Sequence, residues 1–230
     1  MTQNIEILYE DNHVIVVNKE PGELVQPDPS GAPALEQRVK EYLRVKYNKP
    51  GEAFLGVVHR IDRPVSGVVL FAKTSKALTR LNEQLREGGF KKSYLAIVEN
   101  RPKSDEALLE DYISRNTKIN KSFVSNSKRE GSKLAKLKYR LVAASDNYFL
   151  LDVELMTGRH HQIRCQLSSM GCSIRGDVKY GARRSLPQGG ISLHSHIMEF
   201  THPTLNQRVK IKANPPKNDN LWAEFWKVVK

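Results

Sequence analysis

The chain has 230 residues, and its 37 lysines and arginines against 25 acidic residues give a formal charge of +12 and a pI near 9.7. Such an excess makes a polyanion the expected partner, because clustered cations gain affinity by releasing counterions from phosphates.

No apolar run approaches the roughly 18 residues of a membrane span, and the first residues lack the features of a signal peptide. The two cysteines, Cys165 and Cys172, favour a reducing compartment over a disulfide scaffold. We therefore expect a cytoplasmic protein.

Hydrophobic periodicity and turn residues predict nine strands and four helices along the chain. The predicted strands cover residues 5–9, 14–17, 56–61, 67–72, 93–98, 136–143, 148–155, 191–200 and 208–213. The predicted helices cover residues 34–47, 75–86, 160–170 and 220–229. Trp222 and Trp226 on the last helix are expected to pack in the core. This pattern indicates an α+β chain with a large mixed or antiparallel sheet.

Residues 101–133 differ from the rest of the chain because they are polar, basic and poor in large apolar side chains. We interpret them as a long exposed loop or ribbon. Loops of this length are uncommon inside compact domains and tend to be functional. The cations that they contribute are Arg115, Lys118, Lys121, Lys128, Arg129 and Lys133.

Residues 59–67 read His-Arg-Ile-Asp-Arg-Pro-Val-Ser-Gly and lead directly into an apolar run. Asp62 stands between Arg60 and Arg63, and a carboxylate beside cations is favoured in its ionised form. It could therefore act as a nucleophile or a base at neutral pH. A structural ion pair at a turn explains the same residues, and the pattern alone does not decide between the two interpretations.

Residues 157–164 place arginine, histidine and glutamine side chains at the start of a predicted helix. Helix N-termini attract anions, and arginines add two-pronged contacts to phosphate or carboxylate groups. A zinc site that uses His160, His161 and Cys165 is not expected, because the histidines are adjacent and no further ligand motif completes the set.

Lys92 and Tyr94 lie two residues apart on a predicted strand, so alternation places them on the same face. An ammonium group beside an aromatic ring could hold a phosphate and stack on a base. An ordinary half-buried tyrosine is the alternative.

Several spaced motifs together resemble the RluA family of RNA pseudouridine synthases over nearly the whole chain. The family's His-Arg-Leu-Asp turn with a later Ser-Gly is matched by residues 59–67, and its Lys-x-Tyr strand by Lys92 and Tyr94. Its Gly-Arg-x-His-Gln-Ile-Arg segment is matched by residues 158–164. The remaining matches are Gly176-Asp177 with Tyr180-Gly181, Leu193-His194, and His202-Pro203.

The departures from the family pattern are small. Ile61 replaces the commoner leucine, Pro64 and Val65 replace a polar residue and a threonine, and Gln166 replaces a histidine. Val65 lacks the threonine hydroxyl and so any hydrogen bond from that group, whereas the carboxylate of Asp62 is kept. The chain is expected to be one catalytic domain over residues 1–230, without the S4 RNA-binding module of many relatives.

The resemblance implies the pseudouridine synthase fold, a large bent sheet flanked by helices and loops. It also implies an isomerase that converts uridine in RNA to pseudouridine without a cofactor or a metal. Asp62 would be the essential residue, as a nucleophile on the ribose or as the base that removes a ribose proton. Arg164 would pair with Asp62, and Tyr94 would stack on the target uracil and assist proton transfer.

A base hidden in folded RNA must be flipped out before it can react, and Arg60 is the candidate to fill the vacated space. The basic 101–133 segment would grip the RNA backbone without reading sequence. The residues expected to contact the substrate are His59, Arg60, Lys92, Arg159, His161 and Gln162.

Two other classes of protein fit parts of the pattern. A non-catalytic RNA-binding module on the same fold would not need the set Asp62, Tyr94 and Arg164. A DNA-binding regulator would be expected to carry a helix-turn-helix or zinc-finger pattern, which we do not find in the sequence. Ribosomal and transfer RNA are both open as substrates. A monomer without membrane contacts is expected.

Overall fold

The computed structural model describes residues 5–29, 31–186 and 189–229. Within these ranges the chain forms eleven β-strands, four α-helices and one 3-10 turn. It forms two compact units, one of Met1–Phe90 with Ser195–Asn214 and one of Lys91–His194 with Pro215–Lys230. The expectation of a single catalytic domain over residues 1–230 stays a prediction.

The first unit is built on neighbouring strands of one sheet. Strands β1 (Glu6–Glu10) and β2 (Val14–Lys19) form a hairpin, and β2 pairs on its other side with β4 (Ser66–Ala72). The two-residue strand β3 (Gly56–Val57) also pairs with β4. Next to β4 lies β10 (Leu193–Thr201), which pairs with β11 (Arg208–Lys212).

Two amphipathic helices belong to this unit, α1 (Leu35–Lys46) and α2 (Ser75–Arg86). The Thr74 hydroxyl accepts a hydrogen bond from the Ala77 amide and caps the start of α2. Leu81 of α2 packs into an apolar cluster with Val16, Leu70 and Phe200 from three strands. Burial of this helix face stabilises the strands that carry the polar turn of residues 59–65.

The second unit contains five strands in the order β5, β9, β8, β6, β7, with antiparallel pairing at each step. Two helices and the 3-10 turn Val178–Tyr180 complete the unit. The bounds of these elements are β5 (Lys91–Val98), β6 (Glu106–Asn116), β7 (Lys121–Ser125), β8 (Lys133–Ala144), β9 (Phe149–Leu155), α3 (Gln162–Ser169) and α4 (Asn220–Val229). Trp222 is buried and Trp226 packs beside it, as predicted.

The α+β class is confirmed, and α2 and α4 have the predicted bounds. The predicted strand 56–61 is wrong beyond residue 57, because the chain turns at residues 59–65 instead of continuing to pair. The segment 101–133 contains all of β6 and all of β7, joined as a hairpin. The strand count is therefore eleven in the described residues and not nine.

Candidate active site

Asp62 lies in the tight turn between β3 and β4. The Asp62 carbonyl accepts a hydrogen bond of 3.0 Å from the Val65 amide, which closes the turn. The Asp62 side chain is half-buried, whereas Ile61 and Val65 on either side of it are buried. Buried apolar neighbours anchor the turn, so Asp62 is held at a defined position as its first residue.

His59 anchors the start of this turn from inside the unit. Its side chain is only 9% exposed, and its Nε2 accepts a hydrogen bond of 3.1 Å from the Leu70 amide on β4. Because Nε2 accepts, this nitrogen carries no proton. The predicted contact of His59 with substrate stays a prediction, and the structure gives the ring a role in holding the turn against the strand.

Lys19 is a buried cation that braces the same turn. It is 1% exposed, and its ammonium donates to the carbonyls of Glu20, Glu23 and Arg63 at 2.8, 2.7 and 3.1 Å. Burial lowers the pKa of Lys19 to about 7, while the nearby carboxylates of Glu23 and Asp62 act in the opposite direction. The Lys19 ammonium thus joins the end of β2 to the residue that follows Asp62.

Gly67 explains why the motif ends in Ser-Gly. Its φ is +113°, and a Cβ at this position would lie 2.2 Å from the backbone oxygen of Ser195 on β10. Only glycine permits both this conformation and this close approach of two strands. The turn that carries Asp62 therefore enters β4 at a fixed place.

The two arginines beside Asp62 are exposed. Arg60 donates to the Gln26 side chain at 3.4 Å, and Arg63 donates to the Gly22 carbonyl at 2.9 Å. The long contact of Arg60 leaves most of its guanidinium accessible. Its predicted insertion into the space of a flipped base is compatible with this exposure and stays a prediction.

His161 and Gln162 begin helix α3 and are both buried. Gln162 accepts from the Thr157 hydroxyl at 2.8 Å and from the Arg159 amide at 3.0 Å, and donates to the Lys136 carbonyl at 3.1 Å. Its amide group is thus engaged in joining the loop before α3 to β8. Arg159 is exposed, with its Nε bonded to the Leu134 carbonyl at 2.9 Å.

His161 has a left-handed backbone with φ 51°, and its ring stacks on that of His160 with 3.7 Å between centroids. Burial, with the charge of Arg164 as the next cause, lowers the pKa of His161 to about 2. The ring is therefore neutral at physiological pH. Its Nδ1 lies 2.8 Å from the Tyr180 hydroxyl, which itself accepts from the Ser122 amide at 2.8 Å.

Arg164 is buried on α3 and pairs with Asp177. Its Nε and one terminal nitrogen donate to the two carboxylate oxygens at 2.6 and 2.8 Å. The Tyr180 ring lies 5.0 Å from the guanidinium carbon, within the range of a cation–π contact. Asp177 and Tyr180 thus orient the guanidinium through two different kinds of interaction. The predicted pairing of Arg164 with Asp62 stays a prediction.

Lys92 and Tyr94 lie at the start of β5, as predicted. Tyr94 is buried, at 7% exposed, and Lys92 is half-buried. Burial lowers the pKa of Lys92 to about 8, so its ammonium titrates closer to neutrality than an ordinary lysine does. Their roles toward the substrate stay predictions.

The structure therefore brings the predicted residues together in local groups. His59, Arg60 and Asp62 share one turn. His161, Gln162 and Arg164 share the start of α3, and Arg159 lies in the loop before it. Sequence reasoning gave no role to Lys19, Asp177 or Tyr180, although the last two stand in a motif that it had singled out.

No cluster of three or more potential metal ligands occurs among the described residues. Cys165 and Cys172 are buried free thiols.

The family model described as RNA pseudouridylate synthase matches residues 13–169, which include Asp62, Tyr94 and Arg164. The chain belongs to this family. The resemblance to the RluA type is thereby confirmed, and the synthase is an isomerase that converts uridine in RNA to pseudouridine. The non-catalytic binding module is not favoured.

Curated relatives support the same assignment. The ribosomal large subunit pseudouridine synthase C of Escherichia coli strain K12 is 35% identical over 223 residues, which cover 94% of this chain and 67% of the relative. An uncharacterized RNA pseudouridine synthase of Bacillus subtilis, YlyB, is 31% identical, covering 94% of this chain and 70% of the relative. The synthase thus spans about two thirds of the length of these relatives.

A solved structure shows the fold. The human RNA pseudouridylate synthase domain containing 4 superposes with a TM-score of 0.79 at 20% identity, covering 96% of this chain and 93% of that one. The pseudouridine synthase fold predicted from the motifs is confirmed. In the described part of the chain, no helix combines the length and the apolar character needed to cross a membrane.

Proposed function

We propose that the synthase isomerises uridine in the RNA of the large ribosomal subunit and that Asp62 is its essential catalytic residue. The observation that carries the choice of RNA is the 35% identity, over 94% of the chain, to enzymes named for that substrate. The formal charge of +12 supports a large polyanionic substrate. Transfer RNA is the competing substrate.

Asp62 is proposed as the catalytic residue because several contacts hold the turn that carries it. The Lys19 ammonium, the His59 ring and the Gly67 backbone hold the residues on both sides, so the carboxylate is positioned before substrate arrives. The reaction breaks the bond between uracil N1 and ribose C1′ and forms a bond between C5 and C1′. The hydrogen at C5 leaves to water, and N1 acquires one. No redox change occurs, and no external group is transferred.

In this proposal Asp62 acts on the ribose, either as a nucleophile or as the base that removes a proton. Tyr94 stacks on the uracil and assists the final proton transfer from C5. Arg164 is the cation that keeps the catalytic carboxylate ionised and oriented. Its pair with Asp177 limits how the guanidinium can turn, and so presets its direction.

The surrounding contacts with RNA belong to the same proposal. His59, Arg60, Lys92, Arg159, His161 and Gln162 are assigned to substrate binding, His161 and Gln162 through the loop that they order. The synthase is proposed to work in the cytoplasm as a monomer, without a metal or a cofactor.

Tritium release tests the substrate. Wild-type protein is incubated with separate pools of ribosomal and transfer RNA, both unmodified and carrying uridine tritiated at C5, because C–C bond formation expels that hydrogen. We expect release from the large-subunit ribosomal RNA and background counts from the transfer RNA. Release from transfer RNA alone would overturn the choice of substrate while leaving the isomerase activity in place.

A further inference from the structure

The outer face of the β6–β7 hairpin carries an exposed aromatic ring whose position follows from strand alternation. Ser122 is buried, and its hydroxyl lies 2.7 Å from the His160 carbonyl. Val124 packs on the cluster that contains Ile113 and Cys165. Successive side chains of a strand point to opposite faces, so Phe123 between them points away from this cluster. Phe123 is 45% exposed.

The surroundings of Phe123 are basic. Lys121 is two residues away on the same strand, and its ammonium is 5.7 Å from the centre of the Phe123 ring and 5.2 Å from that of the buried Tyr180 ring. Between residues 112 and 133 there are six cations and a single acidic residue, Glu130. The cations are Arg115, Lys118, Lys121, Lys128, Arg129 and Lys133, all exposed except the half-buried Lys121.

An exposed phenylalanine at the edge of a sheet suits several kinds of partner. The charge of the residues around Phe123 distinguishes between them. Six cations against one acid favour a polyanion, whereas a second copy of this basic chain would bring like charges together. A flat ring among cations is the arrangement that binds single-stranded nucleic acid, because every base offers a π-face for stacking and the cations meet the phosphates. A fully paired duplex hides its base faces within the stack.

We propose that Phe123 is a stacking site for an unpaired nucleobase of the bound RNA, with Lys121 beside it on the backbone phosphate. This inference deepens the proposed function and rests on its RNA substrate. The stacked base is a different nucleotide from the target uridine, because the proposed stacking partner of that uridine is Tyr94. The hairpin would thereby select RNA that has an unpaired nucleotide outside the reacting position.

Equilibrium binding tests the proposal with two probes, a single-stranded 20-mer RNA and a blunt duplex of the same sequence. Phe123→Leu keeps an apolar side chain but removes the ring, and Phe123→Trp keeps a ring. We expect Phe123→Leu to weaken single-strand binding by about 5- to 150-fold, the range of a single stacking contact. Phe123→Trp should stay close to wild type, and duplex affinity should not change in either variant.

Phe54→Leu is the matched control, because Phe54 is similarly exposed, at 47%, in the other unit. Its single-strand affinity should equal that of wild type. Stacking releases no counterions, so Phe123→Leu should lower the affinity by the same factor at every salt concentration. Thermal unfolding of each variant separates a binding effect from a folding defect.

Three results would overturn the stacking site: equal single-strand affinity of Phe123→Leu and wild type, equal losses for Phe123→Leu and Phe54→Leu, or an equal loss on the duplex. A wild-type dimer in light scattering that Phe123→Leu dissociates, with RNA affinity unchanged, would assign the face to a second copy. The binding assay contains no turnover step. A wild type that binds RNA but releases no tritium therefore contradicts the proposed function alone.

Discussion

Arg164 and Asp177 form a buried, two-bonded ion pair between α3 and the residue that precedes the 3-10 turn. The pair joins two motifs that are separated in the sequence, and it fixes the direction of a guanidinium that would otherwise rotate freely. Removing one partner of such a pair leaves an uncompensated buried charge, which costs far more than the removal of an exposed partner does.

We therefore expect Asp177→Asn to lower the free energy of unfolding by about 3–5 kcal/mol. Urea unfolding followed by circular dichroism measures this change. Asp146→Asn, at an exposed position in the turn between β8 and β9, is the matched control and should change stability by less than about 0.5 kcal/mol. Equal stability of the two variants would show that the pair does not stabilise the fold.

His161 predicts an acid-sensitive fold. Its pKa is about 2 in the folded chain against an ordinary value of 6.5, so the unfolded chain binds a proton in this interval and the folded chain does not. The stabilisation from burying the neutral ring is fully present above pH 6.5 and is lost progressively as the pH falls below it. His161→Asn removes the titrating group, keeps a polar side chain for Tyr180 and suits the left-handed backbone.

Unfolding free energies at pH 7.0, 6.0 and 5.0 test this expectation. The wild type should lose more stability than His161→Asn over this range, so the difference between the two proteins should shrink toward acid pH. A constant difference would mean that His161 does not contribute to acid sensitivity.

Gly67→Ala should be strongly destabilising, by about 3 kcal/mol or more, because it adds backbone strain and a clash with the Ser195 carbonyl. Gly51→Ala is the control, since a Cβ there meets nothing within 4 Å and its φ is not positive. Thermal unfolding of the two variants gives the comparison. A Gly67→Ala variant as stable as Gly51→Ala would contradict the close approach of β4 and β10.

Three lysines of the basic 101–133 segment are expected to meet phosphates. Replacing Lys118, Lys121 and Lys128 with alanine should weaken RNA binding and reduce the slope of log K against log salt by about 0.7 to 0.9 for each phosphate that is no longer neutralised. The control replaces three exposed lysines elsewhere, Lys49, Lys76 and Lys217. An unchanged slope of log K against log salt in the triple alanine variant would show that these three lysines do not meet phosphates.

The helices α2 and α4 were predicted at their observed bounds because their apolar spacing and flanking residues carry the information locally. The sequence did not distinguish the β6–β7 hairpin from a loop, because much of the hairpin is polar. Only Ile113 and Ser122 of its inner face are buried, and Ser122 is fixed by the distant residues His160 and Tyr180. Periodicity does not reveal such a partner.

The residues of the candidate site also differ in how far the local sequence predicts their contacts. The residues of the motif around Asp62 are contiguous, so the motif could be found in the sequence. The hydrogen bond from Lys19 to the Arg63 carbonyl joins residues 44 positions apart, and it forms only when the chain folds back on itself. His161 and Gln162 were predicted to contact RNA because they stand in the segment at the start of α3 that matches a family motif. Both side chains are buried and hydrogen-bonded to Tyr180, Thr157 and β8, which the motif does not reveal, and their contact with RNA stays a prediction.

The catalytic role of Asp62 is tested by comparing Asp62→Asn with Asp146→Asn in single-turnover tritium release from the same uridine-labelled RNA, with RNA affinity measured in parallel. A catalytic base alone contributes about 10²–10⁴-fold, so Asp62→Asn should lose at least about 100-fold in rate. It should bind RNA as wild type does, because the mutation removes no cation. The Asp146→Asn control should react at the wild-type rate. Tritium release by Asp62→Asn at the wild-type rate would contradict the assignment of Asp62 as the catalytic residue.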